Sequence, residues 1–185
     1  MQAKRRYPSG RTARTWTAPR LRRRRRGVLC GLFCAAVLLA CFRACGAGRT
    51  KLLFPLDASQ WRLSAAYGWR ADPVDGELQF HEGIDLACAE GTTVLAALDG
   101  VVTAAQYSAS YGNYLRLIHA DGFETVYAHL QYLYVRPGEV VRAGQAVGSA
   151  GETGRATGPH LHFEVLRKSK HCDPASALGL AETGP

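Results

Sequence analysis

The chain has 185 residues, enough for one folded domain and a tail, and 47% of them are hydrophobic. Its net charge of +8 is unevenly distributed, because residues 1–26 carry eleven basic and no acidic side chains and leave 12 basic and 15 acidic residues elsewhere. A nucleic-acid-binding domain needs a basic surface on its folded part, so the composition excludes that class and no nucleic acid partner is expected.

The N-terminal region predicts an association with a membrane. Residues 27–47 are apolar or small and contain a single charge, Arg43, directly after the basic stretch. This order is typical of an export signal or of an uncleaved anchor. We predict a basic cytoplasmic tail over residues 1–26, one hydrophobic transmembrane helix over 27–47 and an extracellular C-terminal domain at the cell membrane. Cleavage near Ala47, which gives a secreted protein, and lipidation of Cys41 are the alternatives.

The six cysteines are divided between this segment and the rest of the chain. Four of them share one face of a helix, at positions Cys30, Cys34, Cys41 and Cys45. They are interpreted as small apolar residues of a membrane helix, with pairing between helices as the alternative. Cys88 and Cys172 follow in the external part, where they form a disulfide in an oxidising compartment or are ordinary buried residues.

Residues 48–62 are predicted to be a linker, and residues 63–180 the folded domain. Residues 63–67 open the domain, and a loop-like stretch over residues 67–76 follows, in which Asp-Pro and Asp-Gly act as breakers. Trp69 and Arg70 lie in this stretch. They are candidates for lining a binding cleft or, equally, for packing as an anchor.

Two Asp-Gly pairs between β-forming runs predict two hairpins in the middle of the domain. The predicted strand pairs are 94–98 with 101–104, and 114–118 with 123–130. Short β segments around Val140 and Val147 follow, separated by Gly-containing turns. Because no long helical period occurs after the N-terminal segment, we predict a mostly β domain with an antiparallel sheet, one face of which forms an open groove.

A strand near the C-terminal end carries the densest set of chemically active side chains. It follows the turn signal Gly158-Pro159 and alternates Leu161, Phe163 and Val165 with His160, His162 and Glu164. This period of two predicts a half-buried strand with two imidazoles and a carboxylate on one face. Imidazole is the commonest transition-metal ligand, so the strand is a candidate metal site.

Two further motifs supply the remaining candidate ligands, His81 with Asp85 four residues later, and His129. Two imidazoles and one carboxylate match a catalytic zinc site, which keeps one position for a water that attacks a carbonyl carbon. The alternative is a variant of the helical His-Glu-x-x-His motif with Glu82 as base. Gly83 in its centre and the non-helical flanks disfavour a helix there.

Together these segments carry a family resemblance. The motifs His81-x-x-x-Asp85, Tyr127-Ala128-His129 and Gly158-Pro159-His160-Leu161-His162-Phe163-Glu164 resemble the three signatures of the M23 (LytM/lysostaphin-type) zinc metallopeptidases, over about residues 64–178. The resemblance implies a lysostaphin-like (duplicated-hybrid) antiparallel β-sheet groove, one Zn2+ per domain and a bacterial source. It implies hydrolysis of peptide bonds in peptidoglycan stem peptides or cross-bridges, with a metal-bound water as nucleophile.

The same resemblance distributes the roles. His81, Asp85 and His162 would be the zinc ligands, while His129 and His160 would hold the water, act as base and stabilise the developing oxyanion. Glu164 lies next on the same strand face, and it is either an acceptor that orients a ligand or a solvated edge charge. The remaining histidines, His119 and His171, are predicted to be surface residues.

The main alternative function is a non-catalytic envelope scaffold or wall-binding module with an envelope protein partner. Some membrane-anchored relatives of the sporulation type have lost a zinc ligand and serve in this way. The chain keeps all five positions of the resemblance, which favours an enzyme. A lipoyl- or biotinyl-type carrier is excluded, because such a domain needs a lysine at a hairpin tip and none lies between Lys51 and Lys168.

Overall fold

The computed structural model of the protein describes residues 51–71 and 76–180. The predicted basic tail and the predicted anchor over residues 27–47 lie outside these residues. Within them, no helix has both the length and the apolar character that a membrane crossing needs. The anchor therefore remains a prediction from the sequence.

The described part of the chain is almost entirely β structure, as predicted. Its thirteen strands are β1 (Leu56–Asp57), β2 (Arg62–Ala65), β3 (Gly68–Ala71), β4 (Leu78–His81), β5 (Ile84–Ala87), β6 (Thr93–Leu95), β7 (Gly100–Ser108), β8 (Gly112–His119), β9 (Phe123–Leu133), β10 (Val140–Val141), β11 (Ala146–Ala150), β12 (His160–Arg167) and β13 (Lys170–Cys172). A 3-10 turn at Ala120–Gly122 joins β8 to β9, and one short helix, α1 (Pro174–Leu178), follows β13. Asp173 caps α1 by accepting hydrogen bonds from the backbone N–H groups of Ala175 and Ser176.

In the described residues, eleven strands form one antiparallel sheet, and β3 and β4 form a separate two-stranded sheet. The main path runs in the order β1-β6-β11-β9-β12-β5-β2. The long strand β9 is a branch point, because residues 123–128 lie between β8 and β12 whereas residues 130–133 pair with β11. β12 is central as well, with β9 on one side and β5 and β13 on the other.

The alternation predicted for β12 is confirmed, but the strand is buried on both faces rather than half-buried. Leu161, Phe163 and Val165 are fully buried in the hydrophobic core, together with Ile84 and Tyr127 of the neighbouring strands. Full burial of such a side chain contributes about 1.5–3 kcal/mol. This apolar face fixes the register of β12, because a slip of one residue would move the core side chains into the groove.

Of the two predicted hairpins, the second is confirmed and the first is wrong. β8 and β9 pair across the 3-10 turn, but β6 pairs with β1 and β11, and β7 pairs with β8 and β10. Ala96, Ala97 and Leu98 are buried, so this run is apolar because it passes through the core. Asp99 therefore does not join two paired strands, and its Oδ1 accepts a hydrogen bond from the backbone N–H of Ala143.

Part of the predicted linker over residues 48–62 belongs to the folded domain. Leu52 and Leu56 are buried in the core, and β1 pairs with β6. The rings of Phe54 and Trp61 are in contact, with centroids 4.6 Å apart. The apolar residues of this segment therefore form β1 or pack next to it.

The structure contradicts a disulfide between the two external cysteines. Cys172 pairs with Val165 of β12, whereas Cys88 follows Ala87, the partner of His160 at the other end of the same strand. This register separates the two positions by about six residues, roughly 20 Å along the strand, and a disulfide needs Cα atoms within about 7 Å. Both thiols are free and half-buried.

Candidate metal centre

An open groove lies over the polar face of β12. All six side chains that the sequence analysis singled out for the site line it: His81, Asp85, His129, His160, His162 and Glu164. They come from β4, β5, β9 and β12, so strands far apart in the chain contribute to one site.

Three of these side chains direct a ligand atom at the same point. His81 Nε2 lies 3.1 Å from Asp85 Oδ1 and 3.0 Å from His162 Nδ1, and the last two atoms are 2.8 Å apart. Ligand atoms of a tetrahedral zinc ion at about 2.0–2.1 Å are separated by about 3.3 Å. All three residues are buried. The arrangement therefore suits a zinc-type metal ion with one position left open.

The sheet register creates this geometry. His162 and Asp85 are direct cross-strand partners in β12 and β5, and His81 ends the preceding strand. The connection between β4 and β5 needs Gly83, because a Cβ atom there would lie 2.5 Å from Phe163 O and 2.9 Å from His162 Cε1. Since no helix occurs at this place, the variant His-Glu-x-x-His interpretation is wrong.

The second nitrogen of each ligand histidine fixes its tautomer. His81 Nδ1–H donates to the carbonyl oxygen of Ala66 at 2.8 Å, and His162 Nε2–H donates to Glu164 Oε1 at 3.1 Å. A metal ion needs lone pairs on the nitrogens that face Asp85, and this tautomer can supply them. Without a metal ion the same nitrogens can hold protons that they donate to Asp85, so metal binding displaces protons.

Arg70 controls the other oxygen of the carboxylate ligand. Its Nη2 donates to Asp85 Oδ2 at 3.2 Å and leaves Oδ1 directed at the metal position. Burial alone would raise the pKa of Asp85, but hydrogen bonds from His162 and His81 outweigh it and hold that pKa far below its ordinary value. Trp69 is 69% exposed with its ring against that of Phe80, and only Arg70 of this pair lines the groove.

Glu164 lies behind His162 with no exposed surface, which excludes the interpretation as a solvated edge charge. Besides His162 it accepts hydrogen bonds from the hydroxyl of Tyr111 at 2.6 Å and from His171 Nε2 at 3.0 Å. Burial by itself would raise the pKa of Glu164, but the hydrogen bond from His162 and the other donors lower it. Burial likewise opposes the charged form of His162, yet its bonds to Asp85 and Glu164 raise its pKa to about 9.

His129 reaches the groove through a break in strand alternation. Tyr127 faces the core and Ala128 is the partner of His162, so a regular strand would direct His129 toward the core. Instead His129 has a φ of 59°, and its ring enters the groove. Its backbone N–H donates to the carbonyl oxygen of Tyr111 at 2.8 Å, at the place where the ladder between β8 and β9 shifts register.

His129 and His160 face each other across the groove with ring centroids 4.6 Å apart. Each Nδ1–H donates to a backbone carbonyl at 2.8 Å, that of Thr153 for His129 and that of Gly158 for His160. In the neutral form of either ring, Nε2 is therefore the acceptor. Burial, and then the nearby His160 and His162, lower the pKa of His129 to about 4, so this ring is neutral at pH 7.

Residues 79–174 match the model of Peptidase family M23, and this range contains the three ligand residues and both facing imidazoles. The chain belongs to peptidase family M23. The matched range contains all three motifs on which the family resemblance rests.

Known relatives agree with this assignment of the M23 domain. The chain is 42% identical over 115 residues to the DD-carboxypeptidase/endopeptidase Mpg of Neisseria meningitidis serogroup B, covering 62% of this chain and 26% of that protein. It therefore spans about a quarter of the length of this relative.

Two solved structures share the fold. A zinc containing peptidase from Vibrio cholerae has a TM-score of 0.63 at 36% identity, over 70% of this chain and 40% of that one. The catalytic domain of lysostaphin from Staphylococcus simulans has a TM-score of 0.59 at 34% identity, over 64% of this chain and 92% of that one. The predicted lysostaphin-like sheet is thereby confirmed.

The sequence analysis missed two residues of this M23 site and misplaced a histidine outside it. Tyr111 and His171 hold Glu164, although neither lies in a motif and His171 was predicted to be a surface residue. His119 was also predicted at the surface, but it is buried and its Nε2 lies 2.7 Å from the hydroxyl of Thr125. The only signal for these contacts is the strand register, which a single sequence does not reveal.

Proposed function

We propose that this M23 domain is a zinc endopeptidase that hydrolyses peptide bonds in the stem peptides or cross-bridges of bacterial peptidoglycan. One observation carries the proposal: a buried three-ligand centre faces two additional imidazoles whose Nε2 atoms can accept protons. The name of the Neisseria relative supports a peptidase of DD-type peptides, and that of the Vibrio structure supports zinc.

In this proposal His81, Asp85 and His162 hold the zinc. A zinc ion bound there would supply a Lewis acid that polarises a carbonyl group and lowers the pKa of water toward ~7. Arg70 keeps Asp85 in its orientation, and Glu164 does the same for His162.

The two facing imidazoles handle the protons. His160 Nε2 lies 3.9 Å from Asp85 Oδ1, so it is next to the metal position. A water between His129 and His160 can donate one hydrogen bond to each Nε2, which directs its lone pair toward the substrate carbonyl. One ring then accepts the proton of the attacking water and returns it to the leaving amine. The protonated ring also stabilises the negative charge that develops on the carbonyl oxygen.

The second candidate function is a non-catalytic envelope scaffold or wall-binding module. The convergence of all five motif residues on one groove favours the enzyme, because a scaffold needs neither basic imidazole. We place the activity in the cell envelope, where peptidoglycan lies, with anchoring through residues 27–47 and an envelope protein partner as further parts of the proposal.

The test uses the full chain and its His160→Ala variant with purified sacculi from Gram-positive and Gram-negative bacteria. We expect soluble peptides with new termini, loss of their release with a chelator, and recovery with added zinc. His160→Ala should lower the rate at least about 100-fold, the contribution of one general base. Tyr132→Ala, at a side chain that is 61% exposed, is the control and should cleave normally.

Mass spectrometry of the released peptides identifies the bond. Intact sacculi with one equivalent of zinc bound would overturn the enzyme in favour of the scaffold. A wild-type chain that binds no zinc would contradict the metal site itself.

A further inference from the structure

Glu164 is held by the ligand His162 and by two further side chains that are not among the three metal ligands. Its Oε1 accepts hydrogen bonds from His162 Nε2–H at 3.1 Å and from the Tyr111 hydroxyl at 2.6 Å. Its Oε2 accepts one from His171 Nε2–H at 3.0 Å. Because the carboxylate is fully buried, each oxygen depends on these donors.

The β12–β13 hairpin brings His171 to this place. Arg167 pairs with Lys170 across a two-residue loop, and Leu166 pairs with His171. Leu166 and Glu164 are two residues apart and so share one face of β12. His171, the partner of Leu166, therefore lies diagonal to Glu164 on the groove side. A slip of one residue in this hairpin would turn the imidazole to the opposite face.

The second nitrogen of His171 faces another carboxylate. Its Nδ1 lies 3.6 Å from Glu82 Oε1, and the side chain of Glu82 is 51% exposed where it lines the groove. The imidazole thus bridges a carboxylate at the rim and a buried one behind the ligand His162. Contacts at both ring nitrogens fix the orientation of the ring.

We propose that His171 is a positioning residue that keeps Glu164 directed at His162 and thereby strengthens metal binding. The inference rests on the proposed metal site. A carboxylate that accepts the outer N–H of a ligand histidine fixes its tautomer and raises the basicity of the ligating nitrogen. Without His171, Glu164 Oε2 would be a buried charged atom without a donor, and the carboxylate would turn away or take up a proton.

A second cation site at the same residues fits the contacts less well. One ligand atom each of Glu82, Glu164 and His171 lies within 4.8 Å of the others. However, both oxygens of Glu164 already accept hydrogen bonds, and Glu82 is half-exposed. The number of metal ions bound distinguishes the two interpretations.

The test measures zinc affinity with the full chain, free of any histidine tag, by competition with a chromophoric chelator. We expect His171→Ala to weaken binding about tenfold, the lower end of the 10–100-fold effect of an outer hydrogen-bond partner. His171→Gln keeps an N–H donor toward Glu164 and should stay within about threefold of the wild type. Lys170→Ala, on the exposed neighbouring position of β13, is the matched control and should not change the affinity.

A spectroscopic readout separates positioning from a general loss of stability. The visible absorption of the cobalt-substituted chain reports ligand geometry, and it should shift in His171→Ala and recover in His171→Gln. If His171→Ala does not fold, His171→Asn, whose amide stops short of Glu164, replaces it in the comparison with His171→Gln.

Wild-type affinity and spectrum in His171→Ala would overturn the inference and leave the proposed peptidase intact. If the wild-type chain binds a second equivalent of zinc and only His171→Ala loses it, the inference is overturned in favour of a second cation site. Absence of zinc binding by the wild-type chain would remove the metal site and this inference together.

Discussion

Arg70 decides which oxygen of Asp85 faces the metal position. Its guanidinium donates to Oδ2 at 3.2 Å, and the pair is only partly shielded, with side-chain exposures of 32% and 13%. We predict that Arg70→Gln weakens zinc binding about tenfold, because the carboxylate can then rotate or accept a proton. Competition titration with a chelator measures the effect.

The control for this prediction is Arg142→Gln, which removes the same charge at an exposed position outside the groove. It should leave the zinc affinity unchanged. Equal affinities of Arg70→Gln and the wild type would mean that Asp85 is held in place by the two histidines alone.

The residues of the site differ in how far the sequence predicts them. His160, His162 and Glu164 follow from alternation within one strand, and the structure places all three in the groove. Tyr111 and His171 do not follow from any local pattern. Tyr111 meets Glu164 across 53 positions of the chain, so only the pairing of β8, β9 and β12 brings the two side chains together.

At the scale of elements, the β12–β13 hairpin contains local strain. Lys168 and Ser169 form its loop with φ values of 51° and 59°, where glycine and asparagine are favoured. We predict that the double substitution Lys168→Asn with Ser169→Gly increases the free energy of unfolding by about 0.5–1 kcal/mol per position. Urea unfolding measures the change.

The matched control replaces both residues by alanine, which removes the side chains but retains the cost of a positive φ. This variant should not be stabilised. A stabilisation of the same size in both variants would trace the effect to the side chains of Lys168 and Ser169 and contradict the argument from backbone strain.

Two features of the strands could not be predicted from local sequence patterns. The Asp99-Gly100 pair between apolar runs predicts a hairpin, yet β6 and β7 have different partners because the chain between them crosses the core. The bulge at His129 has no sequence signature either. Its positive φ is maintained by the carbonyl groups of Tyr111 and Thr153, which lie in other segments. Non-local pairing decides both features.

At the scale of the whole described domain, a buried polar network lies in the core, apart from the groove of the metal centre. His119 Nδ1–H donates to the carbonyl oxygen of Asp99 at 2.9 Å, and its Nε2 lies 2.7 Å from the Thr125 hydroxyl. That hydroxyl is 3.1 Å from the phenol oxygen of Tyr127, which accepts the backbone N–H of Ala97 at 2.8 Å. Every donor has an acceptor when Tyr127 donates to Thr125 and Thr125 donates to a neutral His119.

Protonation of His119 would break this sequence of bonds. Nε2 would then become a donor, the Thr125 hydroxyl would have to donate to Tyr127, and the buried phenol O–H would lose its acceptor. The pKa of His119 is accordingly lowered by burial, which outweighs the opposing effects of the carbonyl and charge of Asp99. The native state therefore favours the neutral ring.

This preference predicts acid-sensitive stability outside the metal centre. Because the pKa of His119 is lower in the folded state than its unfolded value of about 6.5, the unfolded chain binds more protons below that pH. The stabilisation that the neutral His119 contributes is complete above about pH 6.5 and decreases as the pH falls toward the folded pKa, by at most about 1.4 kcal/mol per pH unit.

His119→Gln, neutral at every pH, should be less stable than the wild type at pH 8, and this difference in the free energy of unfolding should shrink toward pH 5. Urea unfolding of both chains in the same metal state measures it, since the other histidines titrate in both and cancel. A difference that stays constant from pH 8 to pH 5 would mean that His119 does not titrate on unfolding.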